Sequence, residues 1–337
     1  MKRDASILLA CIFAIYIAAD FLSPLPIGNR SMEIEIPRGS TFRQAVDILA
    51  KERLVRDKNL FLFLGRINGM DRKIRAGYYS IQGPLSPLTV LRMLKKGQII
   101  EYEITIVEGD SLREIGEKLS EKNIINKEDF TKLSTDKEFL SSHEIRAPSL
   151  EGYLFPDTYK VAKGMDPKEA IENMITRLRE KYSGELRVKT SELSLSEREV
   201  LTLASIIEKE AETDRERPLI SAVYHNRLRK GIPLQADPTS IYGIKRAGVK
   251  ITDKDIRKKT PYNTYVIKGL PPGPIASPGI KSIHAALYPA KVPYMFFVSN
   301  NDGTHRFSVT AAEHQIAVEM YRKKKNEESK AKENGNS

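Results

Sequence analysis

The residue of this chain best suited to chemistry is Glu208, which lies within the apolar segment of residues 201–210. Ser196 and Glu199 have the spacing of a capping box, so this segment is predicted to be a helix that begins there. Glu208 falls at the edge of the helix's apolar, core-facing stripe. Burial among apolar neighbours is expected to raise its pKa, and Glu212 one turn later acts in the same direction. The pattern predicts a general acid, with a solvated surface glutamate as the alternative.

The loops that follow the predicted helix are rich in amide, hydroxyl and phenol side chains between Pro and Gly turns. Such groups suit a polyhydroxylated, N-acetylated sugar, because amides and hydroxyls pair with its OH groups and tyrosine rings stack on its C–H faces. A phosphate site would instead show a basic cluster or a Gly-rich loop leading into a helix. For any single loop, ordinary turn chemistry is the alternative. The candidate substrate-binding residues are Ser205, Glu212, Gln235, Asp237, Asn263 and Tyr265.

Composition excludes several other classes of site. The chain has 337 residues, enough for two or three domains, and a formal net charge of +11. Its basic residues are interspersed with acidic ones rather than clustered in one stripe, which argues against a nucleic-acid partner. Cys11 is the only cysteine, and the five histidines show no close ligand spacing. We therefore predict no disulfide within the chain, no metal ion and no cofactor.

The N-terminus carries a hydrophobic segment, residues 5–25, whose length just reaches that of a bilayer span. Lys2 and Arg3 precede it and favour an orientation with the N-terminus in the cytoplasm. We predict an uncleaved single-pass anchor in the inner membrane, with the rest of the chain outside the cytoplasm. A cleaved signal peptide, a lipoprotein signal ending at Cys11 and a buried soluble helix are the alternatives. The segment lacks a clear small-residue cleavage site before Pro24.

An internal repeat with an offset of seventy residues follows the hydrophobic segment. Residues 34–43 match residues 104–113, and each copy predicts a short strand, a glycine turn, a capped helix and a second short helix. Residues 77–81 predict a returning strand in the first copy. This order resembles the LysM module, which binds glycans containing N-acetylglucosamine; a spacer that positions the next domain is the alternative. The helix N-cap candidates are Ser40 or Thr41 in the first copy and Asp110 or Ser111 in the second.

The second half of the chain is similar to the YceG-like family of endolytic murein transglycosylases. The motifs that carry the resemblance are residues 151–159 (EGYLFPDTY), 203–210 (LASIIEKE), 216–218 (ERP), 226–228 (NRL), 234–238 (LQADP), 260–265 (TPYNTY), 269–273 (GLPPG) and 275–279 (IASPG). In that family the first glutamate of the Ile-Glu-Lys-Glu element is the catalytic acid, which here is Glu208. The family also has an N-terminal transmembrane anchor and a LysM-like subdomain, and the resemblance extends from the predicted anchor to about residue 321.

The resemblance implies cleavage of MurNAc–GlcNAc β-1,4 bonds within glycan strands, leaving 1,6-anhydro-MurNAc ends, in cell wall assembly and glycan chain termination. Glu208 would protonate the glycosidic oxygen and then take the proton of the MurNAc 6-hydroxyl as it attacks the anomeric carbon. The implied partners are peptidoglycan glycan strands, peptidoglycan synthases and the membrane. A net charge of +11 suits acidic wall peptides or polymers. A non-catalytic peptidoglycan-binding scaffold and a hydrolase that leaves reducing ends are the alternatives.

The predicted fold class is α+β, with a transmembrane helix, a LysM-like region of strands and helices, and a mixed catalytic domain. The predicted segments are a cytoplasmic N-terminus (1–4), the anchor (5–25), the LysM-like repeat region (31–150), the catalytic domain (151–321) and a disordered charged tail (322–337).

Overall fold

The computed structural model describes residues 2–28, 30–70, 74–244, 249 and 251–334. The chain forms two compact units, the first made of Met1–Glu103 with Lys160–Asp166 and the second of Ile104–Tyr159 with Pro167–Ser337. The predicted α+β class is confirmed, since helices surround small sheets that each have two strands in the described residues. The two copies of the repeat fall in different units, and the predicted boundary after residue 150 falls inside the second unit.

The first unit has the strand–helix–helix–strand order predicted for the first copy of the repeat. Its elements are α1 (Lys2–Leu22), β1 (Ser31–Ile36), α2 (Phe42–Lys51), α3 (Lys58–Ile67), β2 (Gly77–Gln82) and α4 (Pro87–Lys96). β1 and β2 are antiparallel, with Ile34 opposite Tyr79. Alternate residues of the two strands are buried against the helices, as a sheet with one core-facing side requires. Thr41 is the N-cap of α2 and forms a capping box with Gln44.

The end of α1 packs into the first unit. Phe21 and Leu25 belong to its hydrophobic core, and the Arg56 guanidinium donates a hydrogen bond of 2.8 Å to the Asp20 carbonyl. Among the helices of the described residues, none combines the length with the apolar character that crossing a bilayer demands. The prediction of a single-pass anchor over residues 5–25 is therefore not supported by the structure.

The second unit begins with the second copy of the repeat. Its elements there are the end of β3 (Glu101–Thr105), α5 (Leu112–Glu121), α6 (Lys127–Ser134), α7 (Lys137–Ser142) and the start of β4 (Thr158–Ala162). β3 and β4 form one two-stranded sheet, so the returning strand of this copy comes only after an insertion that includes α7. Ser111 is the N-cap of α5 and forms a capping box with Glu114. Residues 151–157 form turns that lead into β4.

The rest of the second unit is mostly helical. Its elements are α8 (Pro167–Lys181), α9 (Glu185–Glu192), α10 (Glu197–Glu210), α11 (Arg217–Arg229), α12 (Asp237–Ile241), α13 (Asp253–Arg257), α14 (Ile280–Leu287), β5 (Phe296–Ser299), β6 (His305–Ser308) and α15 (Ala311–Asn334). β5 and β6 form an antiparallel hairpin. α15 continues to Asn334, into the segment of residues 322–337 for which a disordered tail was predicted. Lys and Glu are good helix formers, which explains the continuation. Residues 335–337 lie outside the described residues.

The helix that carries Glu208 is the central element of this unit. α10 begins at the predicted Ser196 capping box and packs against α9, α11, α12 and α14. Every residue from 200 to 207 is buried, so the helix is enclosed on all sides rather than along one stripe. A helix enclosed in this way has little freedom to shift, and it therefore fixes the position of the side chains at its C-terminal end.

Candidate active site

Glu208 lies near the C-terminal end of α10, where the helix leaves the core. Its side chain is only 5% exposed. Oε1 accepts a hydrogen bond of 2.9 Å from an Arg217 guanidinium nitrogen, and Oε2 accepts one of 2.9 Å from the Gly279 backbone N–H. The partners of the carboxyl group are therefore a cation and a backbone amide, in addition to the apolar neighbours that the sequence predicted. Both donors suit the carboxylate form of Glu208.

Arg217 is the buried cation of the site. It is the first residue of α11, and its side chain is 9% exposed. Besides Glu208 it contacts the Asp214 carboxylate, at 3.0 Å from Nε, and the Ser282 hydroxyl on α14. One guanidinium thus joins α10, the turn before α11 and α14. Because a guanidinium presents several donors in a rigid plane, this arrangement restricts where the Glu208 carboxyl can lie.

Gly279 supplies the second donor to Glu208. It is the N-cap residue of α14, and a Cβ atom at this position would lie 1.9 Å from Oε1 of Glu108. A side chain here would therefore displace Glu108, which explains why the position suits glycine. Two backbone hydrogen bonds of 2.8 Å, from Gly109 to Ser277 and from Ser277 to Asp110, hold the Glu108 turn against the Gly279 segment. Gly279 thus lies beside the carboxyl groups of both Glu208 and Glu108.

Glu108 is a second carboxyl group beside the first. Partial burial raises its pKa, and the negative charge of Glu208 raises it further, whereas Arg217 and Lys281 act in the opposite direction. The turn that carries Glu108 also reaches Glu208 directly, since a Cβ on Gly109 would lie 3.9 Å from Cγ of Glu208. In many enzymes, two neighbouring acidic groups with different surroundings take the separate roles of acid and base.

A cavity of about 650 Å³ is lined in part by Gly109 and Lys209, the residues that follow Glu108 and Glu208 in the chain. Its wall combines polar and apolar groups of the second repeat copy and of the α10–α12 region, including Glu114, Phe130, Glu151, Lys209, Tyr242 and Ile275. Gly109 and Lys209 lie at its edge, and the Lys209 ammonium donates a hydrogen bond of 3.2 Å to the Gly109 carbonyl. The cavity therefore reaches the chain neighbours of both glutamates, while the glutamates themselves are not among the residues that line it. Its volume lies within the range of small-molecule sites.

Glu151 is a buried carboxyl group in the wall of the cavity, with 3% of its surface exposed. It accepts hydrogen bonds from the Leu112 backbone N–H at 3.0 Å and from the Tyr242 hydroxyl at 2.8 Å. Burial raises its pKa to about 7 despite these two donors. Glu151 therefore ties the start of α5 to the segment after α12, and these are two of the elements that form the cavity.

Comparison with known proteins decides the family. The model of the YceG-like family matches residues 34–320 of this chain. The chain belongs to the YceG-like family. It is 31% identical over 315 residues to the endolytic murein transglycosylase of Bacillus subtilis, with 88% of this chain and 86% of the relative covered. It is 28% identical to the protein of the same name from Streptococcus pneumoniae serotype 2, covering 83% of this chain but only 56% of that longer relative.

The fold has also been seen in a crystal. A YceG-like protein from Listeria monocytogenes, whose structure was determined at 2.6 Å resolution, superposes on this chain with a TM-score of 0.59 and 32% sequence identity. The match covers 85% of this chain and 98% of the crystallised one.

Three of the predicted substrate-binding residues of this YceG-like protein lie together. Gln235 accepts a hydrogen bond of 3.0 Å from Arg227, and the Tyr265 hydroxyl donates to the Asp237 carboxylate. Gln235 and Asp237 are exposed, and Tyr265 is half-buried. The three residues lie at the start of α12. They are on the side of α10 that carries Glu210, since the negative charge of Asp237 contributes to the raised pKa of Glu210. They form one polar surface, with functional groups available to a ligand.

Ser205 and Asn263, two other predicted substrate-binding residues, use their polar groups within the fold. Ser205 is completely buried; its hydroxyl donates to the Thr202 carbonyl at 2.7 Å and accepts from the Ile275 N–H at 3.0 Å. Asn263 is also completely buried, and its amide donates to three backbone carbonyls around α13. Their polar groups are satisfied within the protein, so neither is offered to a sugar.

Glu212 does not act on Glu208 in the way that the sequence predicted. α10 ends at Glu210, so Glu212 is no longer one helical turn above Glu208. Its carboxylate lies instead at the turn between β5 and β6, where Oε2 is 3.2 Å from the position of a Cβ on Gly303. The carboxyl group that lies beside Glu208 is instead that of Glu108, whose pKa is raised by the negative charge of Glu208.

Sequence reasoning missed Arg217, Gly279 and Glu108 as members of the site. Arg217 and Gly279 belong to motifs that carry the family resemblance, but nothing in a motif says which other motif it contacts. Glu108 had a usable signal in the repeat: it stands where the first copy has Arg38, directly before the glycine that both copies share. A reversal of charge beside this shared glycine indicates a role that the turn itself does not require.

Proposed function

We propose that this chain is an endolytic lytic transglycosylase of peptidoglycan, and that Glu208 is its acid and base. The observation that carries the proposal is a glutamate on a rigid, buried helix, held by Arg217 and Gly279 and followed in the chain by Lys209, which lines a cavity of about 650 Å³. The names of the relatives from Bacillus subtilis and Streptococcus pneumoniae support the same reaction and substrate.

In the first step Glu208 protonates the oxygen of the MurNAc–GlcNAc β-1,4 bond. Both of its oxygens accept hydrogen bonds in the free protein. Glu208 must therefore take up a proton and turn one oxygen away from Arg217 or Gly279 toward the glycosidic oxygen. The C–O bond then breaks, its electron pair stays with the departing sugar oxygen, and positive charge develops at the anomeric carbon. The acetamido group of MurNAc can stabilise that charge.

In the second step Glu208, now a carboxylate, accepts the proton of the MurNAc 6-hydroxyl. The 6-oxygen attacks the anomeric carbon of the same sugar and closes the 1,6-anhydro ring, so no water is consumed. Arg217 and the Gly279 N–H stabilise the carboxylate that the first step creates. One glutamate can thus serve both steps, because the proton that it gives up in the first is returned in the second.

Glycan binding is proposed for two regions. The cavity beside Gly109 and Lys209 can accept sugar units on one side of the cleaved bond. Gln235, Asp237 and Tyr265 provide amide, carboxylate and phenol groups for hydrogen bonds and stacking. We further propose that the protein works at the cell membrane outside the cytoplasm, next to peptidoglycan synthases, because its substrate strands are made and lie there. Fractionation of cells, followed by detection of the chain in membrane and soluble fractions, tests this location.

The reaction is tested by mass spectrometry of the fragments released from long, uncross-linked peptidoglycan strands. The proposal predicts internal cleavage to fragments that end in 1,6-anhydro-MurNAc. Fragments with reducing ends would show that water attacks instead of the 6-hydroxyl, which makes the protein a hydrolase. Binding of strands without any cleavage would identify a scaffold and would contradict the proposal.

A further inference from the structure

We propose that Glu108 is a positioning residue for the reaction, and that its carboxylate sets how readily Glu208 takes up the proton it must donate. The inference deepens the proposed function and rests on it. Arg217 and the Gly279 N–H both stabilise ionised Glu208, so a general acid at this position needs an opposing influence. A negative charge nearby supplies one, because two carboxylates at one site do not ionise independently.

The geometry keeps Glu108 beside Glu208. The Glu108 carboxylate occupies the space that a side chain would need at residue 279, while the N–H of the same residue binds Glu208. The turn that carries Glu108 is tied to Ser277 by two backbone hydrogen bonds of 2.8 Å. It is also closed on itself by a hydrogen bond of 2.9 Å from the Val107 N–H to the Asp110 carboxylate. The position of Glu108 is therefore fixed by elements on both sides.

The charged groups around Glu108 come from every neighbouring element. They are Glu208 and Lys209 on α10, Asp214 before α11, Arg217 on α11 and Lys281 on α14. Lys281 is paired with Asp214 at 2.5 Å, and Lys209 with the Gly109 carbonyl. Of the charged groups that act on Glu108, Glu208 has the largest effect. Because such coupling is reciprocal, ionised Glu108 disfavours ionised Glu208 by the same free energy.

The repeat supports a role for Glu108 beyond the fold. The first copy makes the corresponding turn with Arg38, and Gly39 has a positive φ of 77°, as Gly109 has of 84°. The turn therefore forms with either sign of charge. Only the second copy, whose turn lies beside Glu208, has a carboxylate at this position.

The test separates this inference from the proposed function by measuring proton uptake without substrate. Glutamate carboxyl carbons labelled with ¹³C report the ionisation of each group by NMR, and Glu208→Gln identifies the signal of Glu208. In Glu108→Gln, which removes a neighbouring negative charge, we expect Glu208 to take up its proton at a lower pH than in the wild type. Glu108→Asp should largely restore the wild-type value, and Gly279→Ala, which displaces the carboxylate, should lower it. Glu121→Gln, an exposed change on α5, is the control.

The second readout is the pH dependence of strand cleavage. In Glu108→Gln the basic limb of the pH–rate profile should move to lower pH, while the rate at low pH is kept. A variant that merely damaged the fold would lose rate at every pH. An unchanged NMR titration of Glu208 in Glu108→Gln overturns the inference. A wild-type protein that cleaves no strands refutes the proposed function alone, since the NMR titration still decides the role of Glu108.

Discussion

Replacing Glu151 by glutamine should make the protein more stable at alkaline pH and leave it nearly unchanged at acidic pH. Burial raises the pKa of the Glu151 carboxyl from 4.5 to about 7. Between these two values the folded state holds a proton that the unfolded state has released, so the free energy of unfolding falls as the pH rises through this window. Glutamine is uncharged at every pH and keeps the size of the side chain.

The magnitude follows from the size of the shift. A change in pKa from 4.5 to about 7 corresponds to about 3 kcal/mol of folding free energy. This contribution is present below pH 4.5 and is lost by about pH 7. Glu151→Gln should therefore gain about 3 kcal/mol relative to the wild type between pH 5 and pH 8. Its side-chain oxygen can still accept from the Leu112 N–H, and its NH₂ can donate to the Tyr242 hydroxyl, so both contacts that join α5 to the segment after α12 can be kept.

The assay is urea unfolding of the wild type and the variant at pH 5 and pH 8, followed by circular dichroism. Hydrogen exchange of the Leu112 amide adds a local measurement, because that N–H donates to Glu151. Glu121→Gln is the matched control, since Glu121 is exposed and its replacement should give the same small difference at both pH values. A difference between Glu151→Gln and the wild type that does not depend on pH would refute the reasoning.

Two further substitutions test the packing of the site, both by urea unfolding. Arg217→Met leaves the buried Glu208 without its cation and should destabilise the protein by about 3–5 kcal/mol. In the double variant with Glu208→Gln, part of this lost stability should be recovered. If Arg217→Met costs the same stability with Glu208 and with Gln at position 208, the ion pair is not the cause. Gly152→Ala should lose about 2–4 kcal/mol, because residue 152 has a φ of 79° and a Cβ there would lie 2.4 Å from Pro274. Gly231→Ala, with a φ of 64° and open space, is its control and should lose only about 1 kcal/mol.

The features that depend on neighbours in sequence could be predicted. The capping box of Ser196 and Glu199 correctly predicted where α10 begins, and the internal repeat correctly predicted the order of elements in the first unit. N-caps and glycine turns are determined by residues within a few positions of each other, so they can be recognised in a single sequence. Glu208 was found in this way, as a carboxyl group at the edge of an apolar helix.

The partners of Glu208 could not be predicted, because they are brought to it by tertiary packing. Gly279 is 71 residues away in the chain and Arg217 belongs to the next helix. Ser205 and Asn263 show the opposite error. Their polar groups are of the types that bind sugars. Only the folded structure shows that these groups already donate hydrogen bonds to backbone carbonyls of a helix and of a turn.

Short elements within Pro- and Gly-rich sequence were also missed. α14 follows directly on a Ser-Pro-Gly segment that predicts a turn, yet its N-terminus supplies the Gly279 N–H to Glu208. α9 has little apolar periodicity, with Thr190 as its buried residue, so the sequence carries no clear signal of this helix. Helices of this kind are stabilised mainly by the surfaces on which they pack, and a local pattern carries little of that information.

The central claim is that Glu208 supplies the proton for cleavage, and it is tested most directly by comparing two glutamates of α10. Glu208→Gln cannot donate a proton and should lower the rate of anhydro-fragment release from long strands by at least about 10³-fold. Burial raises the pKa of Glu210 to about 8, so Glu210 is already uncharged at pH 7 and Glu210→Gln should keep most of the activity. If Glu208→Gln releases anhydro-ended fragments at the wild-type rate, the account is contradicted.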